Sequence, residues 1–191
     1  MPDKKLETII NSVPGIMSKA ECLKLHMLAR HSEDNILEIG AYKGRSTCCI
    51  ASGTKHNLYS MDLWDLRNAD FKPSKKVTSR GYFLTDTYKQ FLNNISLFNL
   101  KNVIFVKGDS KEIGKIWRIN LGMLFIDGDH TYDGFLSDYS LFSKYVISGG
   151  FLAVHDYVIK PVAQVIEEII KPSGLWDSFE LTDTLWSARR I

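Results

Sequence analysis

Short apolar segments alternate with helix-like segments along the chain, and this alternation restricts the fold more than any other feature. Strands that are apolar on both faces are typical of a parallel sheet covered by helices on both sides. Because the crossovers of such sheets are right-handed, the pattern predicts a doubly wound α/β domain. The five predicted strands of this kind are NILEIG, NLYSMD, NVIFVKGD, LGMLFID and GGFLAVHDY.

The two ends of the chain and one internal segment complete the predicted organisation. A length of 191 residues suits a single domain over 1–191. Residues 1–33 predict a helical N-terminal segment, in which Ser18 and Glu21 have the spacing of a capping box. The C-terminal sequence WDSFELTDTLWSARRI predicts two strands around Asp183. The stretch 65–85 is polar, basic and longer than most loops, so we expect a mobile loop over the site.

Composition excludes several classes of partner. A formal net charge of +2 gives no strong attraction to nucleic acid or to an anionic membrane. Three cysteines, an odd number, do not make a disulfide framework. The N-terminus has neither a long apolar stretch nor a cleavage signal. We therefore expect a cytoplasmic protein that binds neither nucleic acid nor membrane; a homo-oligomer is compatible with the sequence.

Polar side chains gather where each of the five predicted strands ends. In a doubly wound sheet, ligands bind at the carboxyl ends of the strands. One acidic strand end would mean little, because aspartate and serine are ordinary helix caps. Together the five predict a binding site. In chain order they carry Glu38, Gly40 and Gly44; Asp62; Asp109 and Ser110; Asp127, Asp129 and His130; and His155 and Asp156.

The segment EIGAYKGRST predicts a tight turn that approaches a ligand closely. Gly40 and Gly44 permit such a turn, and the helix that follows offers free N–H groups to an anion. Asp62 lies 22 residues beyond Gly40, at the end of the next strand. A carboxylate there can accept hydrogen bonds from both hydroxyls of a ribose. Asp109 and Ser110 lie where an adenine ring would be, although a helix N-cap explains either residue equally well.

These motifs resemble those of class I S-adenosylmethionine-dependent methyltransferases. ILEIGAYKGRST is similar to the first motif of catechol-type O-methyltransferases. FIDGDHTYDGFLSDYSLFSKYVISGGFLAVHDY resembles the group that includes macrocin-type sugar O-methyltransferases and cephalosporin-hydroxylase-like proteins. The resemblance extends from about Asn35 to Asp156. It implies a Rossmann-like, mostly parallel sheet of seven strands with the last one antiparallel, and methylation of a small-molecule hydroxyl.

The resemblance also implies which residues bind S-adenosylmethionine. Ser46 would bond the methionine carboxylate, and Asp62 would bind the ribose. Asp109 and Ser110 would border the adenine. The remaining cofactor-binding residues implied are Glu38, Gly40, Ala41, Tyr42 and Gly44 beside the methionine part, together with Asp127.

A divalent metal and a general base are implied in the same way. In the metal-dependent relatives, the positions of Asp127, His155 and Asp156 hold magnesium or a similar ion, which binds substrate oxygens and lowers a hydroxyl pKa. Histidine suits manganese better than magnesium, so both ions are candidates. The base is Asp129 by similarity to the macrocin-type relatives. It is His130 by position relative to the catechol-type lysine, although His130 as a mere helix cap is an equal alternative.

Other functions account for less of the sequence. Asp127-Gly-Asp129 is also the D-x-D motif of many nucleotide-sugar glycosyltransferases, but that function leaves the glycine turn and Asp62 unexplained. An NAD-dependent oxidoreductase would carry a G-x-G-x-x-G fingerprint, which EIGAYKGRST does not match. A non-catalytic cofactor-binding protein of the same fold remains an alternative.

Overall fold

Seven strands make up the sheet of the computed structural model, which describes residues 4–64 and 87–191. The predicted loop 65–85 lies outside these residues. The fully buried strands lie at the centre, where helices cover both faces of the sheet. The strands are β1 Ile36–Ile39, β2 Leu58–Asp62, β3 Val103–Lys107, β4 Leu121–Ile126, β5 Val146–Val154, β6 Trp176–Thr182 and β7 Leu185–Arg190.

The strand order is β3-β2-β1-β4-β5-β7-β6, as expected for a doubly wound fold. The first five strands pair in parallel, and β7 pairs antiparallel with both β5 and β6. This arrangement confirms the predicted Rossmann-like sheet with its antiparallel last strand. The chain runs outward in one direction from β1 and in the other from β4. The gap between these two strands is therefore the switch point where ligands bind in such sheets.

Helices cover the two faces of the sheet. The side chains of α1, α2 and α3 pack on one face, and those of α6 and α7 pack on the other. None of the helices within 4–64 and 87–191 has the length and apolar character needed to cross a membrane. The helices are α1 Lys4–Ser12, α2 Lys19–Arg30, α3 Arg45–Gly53, α4 Thr87–Leu97, α5 Ser110–Ile116, α6 Tyr132–Phe142 and α7 Lys160–Val165.

The start of α2 is held by the capping box that its sequence indicates. The Ser18 Oγ accepts a hydrogen bond from the Glu21 N–H at 3.1 Å, and the Ser18 N–H donates to Glu21 Oε2 at 2.7 Å. Because α2 and α3 pack closely, their three cysteines are all buried, and all three are free thiols. The capping box thus determines where α2 begins, and the cysteines belong to the core under it.

Candidate active site

A cavity of about 820 Å³ lies at the carboxyl ends of the central strands. It contains residues from the ends of all five parallel strands, as the sequence indicates, because parallel strands all end at the same edge of the sheet. Two of the predicted site residues, Glu38 and Gly44, do not line it. Those that do are Gly40, Ala41, Tyr42, Ser46, Asp62, Asp109, Ser110, Asp127, Asp129, His130, His155 and Asp156.

The two glycines of the first turn both have left-handed backbone conformations. Gly40 has a φ of 94°, and a Cβ atom at this position would lie 2.0 Å from the Asp127 carbonyl oxygen. Gly44 has a φ of 87° and precedes α3, where its Cβ would lie 3.0 Å from the Phe91 ring. Gly40 therefore allows the loops after β1 and β4 to touch. Gly44 faces Phe91 rather than the cavity.

Glu38 is completely buried, and its contact with the methionine part of the cofactor stays a prediction. Side chains alternate along β1, so Glu38 points toward α3 rather than into the cavity. Its carboxylate accepts hydrogen bonds from the hydroxyls of Ser46, Thr47 and Ser60. Burial raises the pKa of Glu38 to about 7, although the three hydroxyls act in the opposite direction.

Ser46 does line the cavity, but its hydroxyl proton is already donated to Glu38. A serine hydroxyl has one proton to donate. The predicted bond from the Ser46 hydroxyl to a carboxylate would therefore require the bond to Glu38 to break.

Asp62 joins the end of β2 to the turn after β1. Its Oδ2 accepts the Tyr42 N–H at 2.7 Å, and its Oδ1 accepts the Trp64 N–H at 2.9 Å. A carboxylate oxygen has a second lone pair, so both oxygens keep capacity for ribose hydroxyls. Tyr42 and Trp64 both have positive φ values, 46° and 42°, and the Trp64 indole donates to the Tyr42 carbonyl at 2.9 Å. The carboxylate is thus held in place before any ligand arrives.

At the end of β3, Asp109 and Ser110 have different partners. Asp109 caps α5 by accepting the Lys111 N–H at 2.8 Å. The Ser110 hydroxyl donates to Asp138 at 2.6 Å. Burial raises the pKa of Asp138 to about 6, and it lines the cavity although sequence reasoning did not select it. The sequence feature that could have identified Asp138 is its place as an acid between the apolar Phe135 and Tyr139 on the inner face of α6.

Two carboxylates, Asp127 and Asp156, lie beside the imidazole of His130 at the ends of β4 and β5. His130 Nε2 lies 3.1 Å from Asp156 Oδ2 and 3.5 Å from Asp127 Oδ1, and Nε2 is buried without the alignment of a hydrogen bond. Contact with Asp127 raises the pKa of His130, burial opposes this, and the Asp156 charge adds to it. One ligand atom from each of these three residues lies within 4.8 Å of the others. The cluster can hold a proton or a cation.

The start of α6 answers one of the alternatives for this region, the helix cap. Thr131, not His130, caps the helix, since its Oγ1 accepts the Gly134 N–H at 3.1 Å. Asp129 Oδ1 accepts the Thr131 N–H at 2.8 Å, and a Cβ at Gly134 would lie 2.1 Å from Asp129 Oδ2. Asp129 therefore packs against the first turn of α6 and lines the same cavity as Asp127.

His155, a predicted metal ligand, also contacts the carboxylates of Asp127 and Asp156. It is buried, and its Nδ1 lies 3.3 Å from Asp127 and 3.5 Å from Asp156. Burial lowers its pKa, but contact with Asp127 and the charges of Asp156 and Glu21 raise it to about 9. The metal trio of Asp127, His155 and Asp156 stays a prediction, and His130 is a further residue whose ligand atom lies within 4.8 Å of those of Asp127 and Asp156.

Comparison with known proteins agrees with this geometry. A family model described as a methyltransferase domain matches residues 37–157. The chain belongs to this family. Its fold is that of a class I S-adenosylmethionine-dependent methyltransferase. A curated relative, an uncharacterized protein of Acanthamoeba polyphaga mimivirus, is 26% identical over 122 residues. These are 63% of this chain and 50% of the relative, so the chain spans about half of that protein's length.

Solved structures show the same fold for the methyltransferase domain. An O-methyltransferase from Bacillus cereus in complex with SAH (S-adenosylhomocysteine) superimposes with a TM-score of 0.66 at 17% identity, covering 100% of this chain and 92% of that one. TomG, an O-methyltransferase from Streptomyces achromogenes in complex with SAM (S-adenosylmethionine), superimposes with a TM-score of 0.70 at 14% identity. Here the coverage is 100% of this chain and 91% of TomG. At these identities the likeness concerns the fold.

The cavity of the methyltransferase domain has an apolar rim, of which the sequence analysis selected only Tyr42. Ile16, in the loop between α1 and α2, is 89% exposed and lines the cavity, as do the exposed Tyr42 and Leu63. The loop is held on α3, because Arg45 Nη1 donates to the Val13 carbonyl at 3.0 Å. An exposed isoleucine at the edge of a cavity indicates a surface that meets an apolar ligand.

Proposed function

We propose that this methyltransferase domain transfers the methyl group of S-adenosylmethionine to a hydroxyl of a small molecule. The proposal rests on the contents of one cavity. It contains the turn at Gly40 together with Asp62, and it also contains the cluster of Asp127, His130 and Asp156. The first would bind the cofactor, and the second would act on the acceptor. The apolar rim and the net charge of +2 support a small organic acceptor rather than nucleic acid.

The residues fit the cofactor. Gly40 lets the turn after β1 lie against the Asp127 backbone at the end of β4, and Asp62 offers two held carboxylate oxygens for ribose hydroxyls. The free N–H groups at the start of α3 suit the methionine carboxylate. When bound, S-adenosylmethionine supplies an electrophilic methyl group on a sulfonium.

In this proposal His130 is the general base. As the acceptor oxygen attacks, a C–O bond forms and the C–S bond breaks, with its electron pair remaining on sulfur. The hydroxyl proton passes to His130 Nε2, which is buried and lacks an aligned hydrogen bond. Asp156, 3.1 Å away, stabilises the imidazolium that results. Asp129 is the alternative base. It is the weaker candidate because its Oδ1 already accepts the Thr131 N–H.

The same cluster also fits a divalent metal. Two carboxylates and one imidazole, from Asp127, Asp156 and His130, are ligands that suit manganese better than magnesium. A metal held there would lower the pKa of the acceptor hydroxyl. His130 would then be a ligand, and Asp129 would be the remaining candidate base.

Calorimetry with S-adenosylmethionine and S-adenosylhomocysteine tests the cofactor. We expect both to bind. Absence of binding to wild-type protein would overturn the proposal, and binding of UDP-sugars would favour a glycosyltransferase.

A screen of small hydroxyl compounds with labelled S-adenosylmethionine then identifies the acceptor. Methyl transfer that survives exhaustive chelation and the Asp127→Asn substitution would remove the metal from the proposal. Cofactor binding without transfer to any acceptor would favour a non-catalytic binding protein.

A further inference from the structure

The loop between α1 and α2, residues 13–17, exposes one large apolar side chain to the cavity. Ile16 is 89% exposed and lines the cavity, whereas Val13 and Met17 on either side of it are buried. A single exposed apolar residue is ordinary on a protein surface, and Ile116 at the end of α5 is an example that does not line the cavity. The position of Ile16 therefore has to be judged by what holds the loop there.

Arg45 holds the loop from the side of the first glycine turn. It is the first residue of α3 and directly follows Gly44. Its Nη1 donates to the Val13 carbonyl at 3.0 Å, and a Cβ atom at Gly15 would lie 2.5 Å from its Cδ. The aliphatic part of Arg45 thus lies directly on the Gly15 backbone. One side chain therefore fixes the loop at two points.

The other end of the loop is held at the turn between β6 and β7. The Ser18 hydroxyl donates to Asp183 at 2.6 Å, and Ser18 is also the cap of α2. In the same turn the Thr184 carbonyl accepts the Tyr157 N–H at 3.0 Å, and Tyr157 directly follows Asp156. The loop therefore extends from the glycine turn to the end of β5, and its exposed side chain lies between these two anchors.

An acceptor in the cavity would meet polar groups at one place and Ile16 at another. Its hydroxyl would lie at the cluster of Asp127, His130 and Asp156. The Ile16 side chain has neither a hydrogen-bond donor nor an acceptor, so it stabilises only an apolar group placed against it. A hydroxyl placed there would lose water without gaining a partner, which costs free energy. A sugar carries hydroxyls on most of its carbons and is therefore the poorer fit.

We propose that Ile16 is a specificity-determining residue, held in place by Arg45 and Ser18, and that the acceptor carries its hydroxyl beside an apolar group such as an aromatic ring. This inference rests on the function proposed above, because the acceptor is the ligand concerned. The sequence motifs resemble those of both catechol-type and sugar O-methyltransferases. The loop adds the information that these motifs lack.

Ligand-observed NMR on the complex with saturating S-adenosylhomocysteine tests the substrate class. Two probe sets of similar molecular size are compared, with phenols and catechols in one set and methyl glycosides in the other. We expect the phenols and catechols to bind, and the glycosides not to bind at equal concentration. Equal binding of the two sets, preference for glycosides, or binding of neither set would overturn the proposal.

Substitution of Ile16 tests its contribution to this preference. We expect Ile16→Asn to raise the Kd of the best phenol about 5–20-fold, because the apolar contact is lost, while Ile16→Leu stays within about twofold of wild type. Ile116→Asn is the matched control, since it makes the same change at an exposed isoleucine outside the cavity, and it should leave the Kd unchanged. Because Ile16 is exposed, Ile16→Asn should keep wild-type stability in urea denaturation. An unchanged phenol Kd in this variant would refute the role of Ile16.

Arg45→Met separates positioning of the loop from direct contact with the acceptor. Methionine keeps an apolar stem against Gly15 but cannot donate to the Val13 carbonyl. We expect the phenol Kd to rise about 2–5-fold in Arg45→Met, with no further rise when Arg45→Met is added to Ile16→Asn. A rise of the same size in both backgrounds would contradict the positioning role, because Arg45 would then act independently of Ile16.

The outcomes distinguish this inference from the proposed function. Absence of S-adenosylhomocysteine binding to wild-type protein would overturn the proposed function, while the same probe sets applied to the protein alone would still decide whether Ile16 faces an apolar ligand. With an acceptor identified, Ile16→Asn should raise the KM for the acceptor about 5–20-fold and change kcat less than about twofold. A loss of kcat at unchanged KM would remove the specificity role.

Discussion

A Cβ atom at Gly40 would lie 2.0 Å from the carbonyl oxygen of Asp127. The turn after β1 therefore lies directly on the turn after β4, at the switch point of the sheet. This contact is between backbone atoms, which cannot rotate away as a side chain can. It explains why the turn after β1 and the acidic cluster share one cavity.

Gly40→Ala should destabilise the protein strongly, because alanine adds both a clash with the Asp127 backbone and strain at a φ of 94°. We expect a loss of more than about 3 kcal/mol in the free energy of unfolding, measured by urea denaturation. Gly174→Ala is the matched control, since Gly174 also has a positive φ but nothing lies within 4 Å of its Cβ position. It should cost about 1–2 kcal/mol. Equal losses would contradict the contact.

Glu38→Gln should stabilise the protein at pH 8 and not at pH 5. The folded-state pKa of Glu38, about 7, lies above its ordinary value of 4.5, so the folded protein loses stability as pH rises between these values. Removing the charge should recover about 3 kcal/mol at pH 8. Urea denaturation at the two pH values measures the difference. Glu33→Gln, at an exposed position, is the control and should leave the pH dependence unchanged.

Asp62→Asn should weaken cofactor binding. The amide must turn its NH₂ toward either the Tyr42 or the Trp64 N–H, and it loses a charged acceptor for ribose hydroxyls. We expect the Kd for S-adenosylhomocysteine to rise about 10–100-fold by calorimetry. Asp133→Asn, an exposed acid on α6, should bind like wild type. Wild-type affinity in Asp62→Asn would refute the ribose contact.

Substitution of the two candidate bases should separate their roles. With an acceptor from the screen, His130→Gln should lower kcat by about 10²–10⁴-fold while S-adenosylhomocysteine still binds. Asp129→Asn should lose less, because Asp129 packs on the first turn of α6. Single-turnover rates of methyl transfer measure both. A larger loss in Asp129→Asn than in His130→Gln would assign the base to Asp129.

The local signals in the sequence were sufficient for most of the fold. The apolar strands, the capping box of Ser18 and Glu21, and the pair of strands around Asp183 all form where the patterns indicate. Each depends on contacts between near neighbours or on the periodicity of burial. The last α-helix is different. Its α-helical part ends at Val165, and a π-helical turn follows over Ile166–Ile170, which the apolar pattern did not indicate.

The sequence alone determined which strand ends carry polar groups, because a parallel sheet brings all its carboxyl ends to one edge. It did not determine which way each side chain points at that edge. Only the tertiary structure buried Glu38 under α3 and brought His130 to the carboxylates of Asp127 and Asp156. Only it brought Glu21 to Thr184, 163 positions along the chain. Such contacts follow from the packing of β7 beside β5 and of α2 over the sheet, which no local pattern encodes.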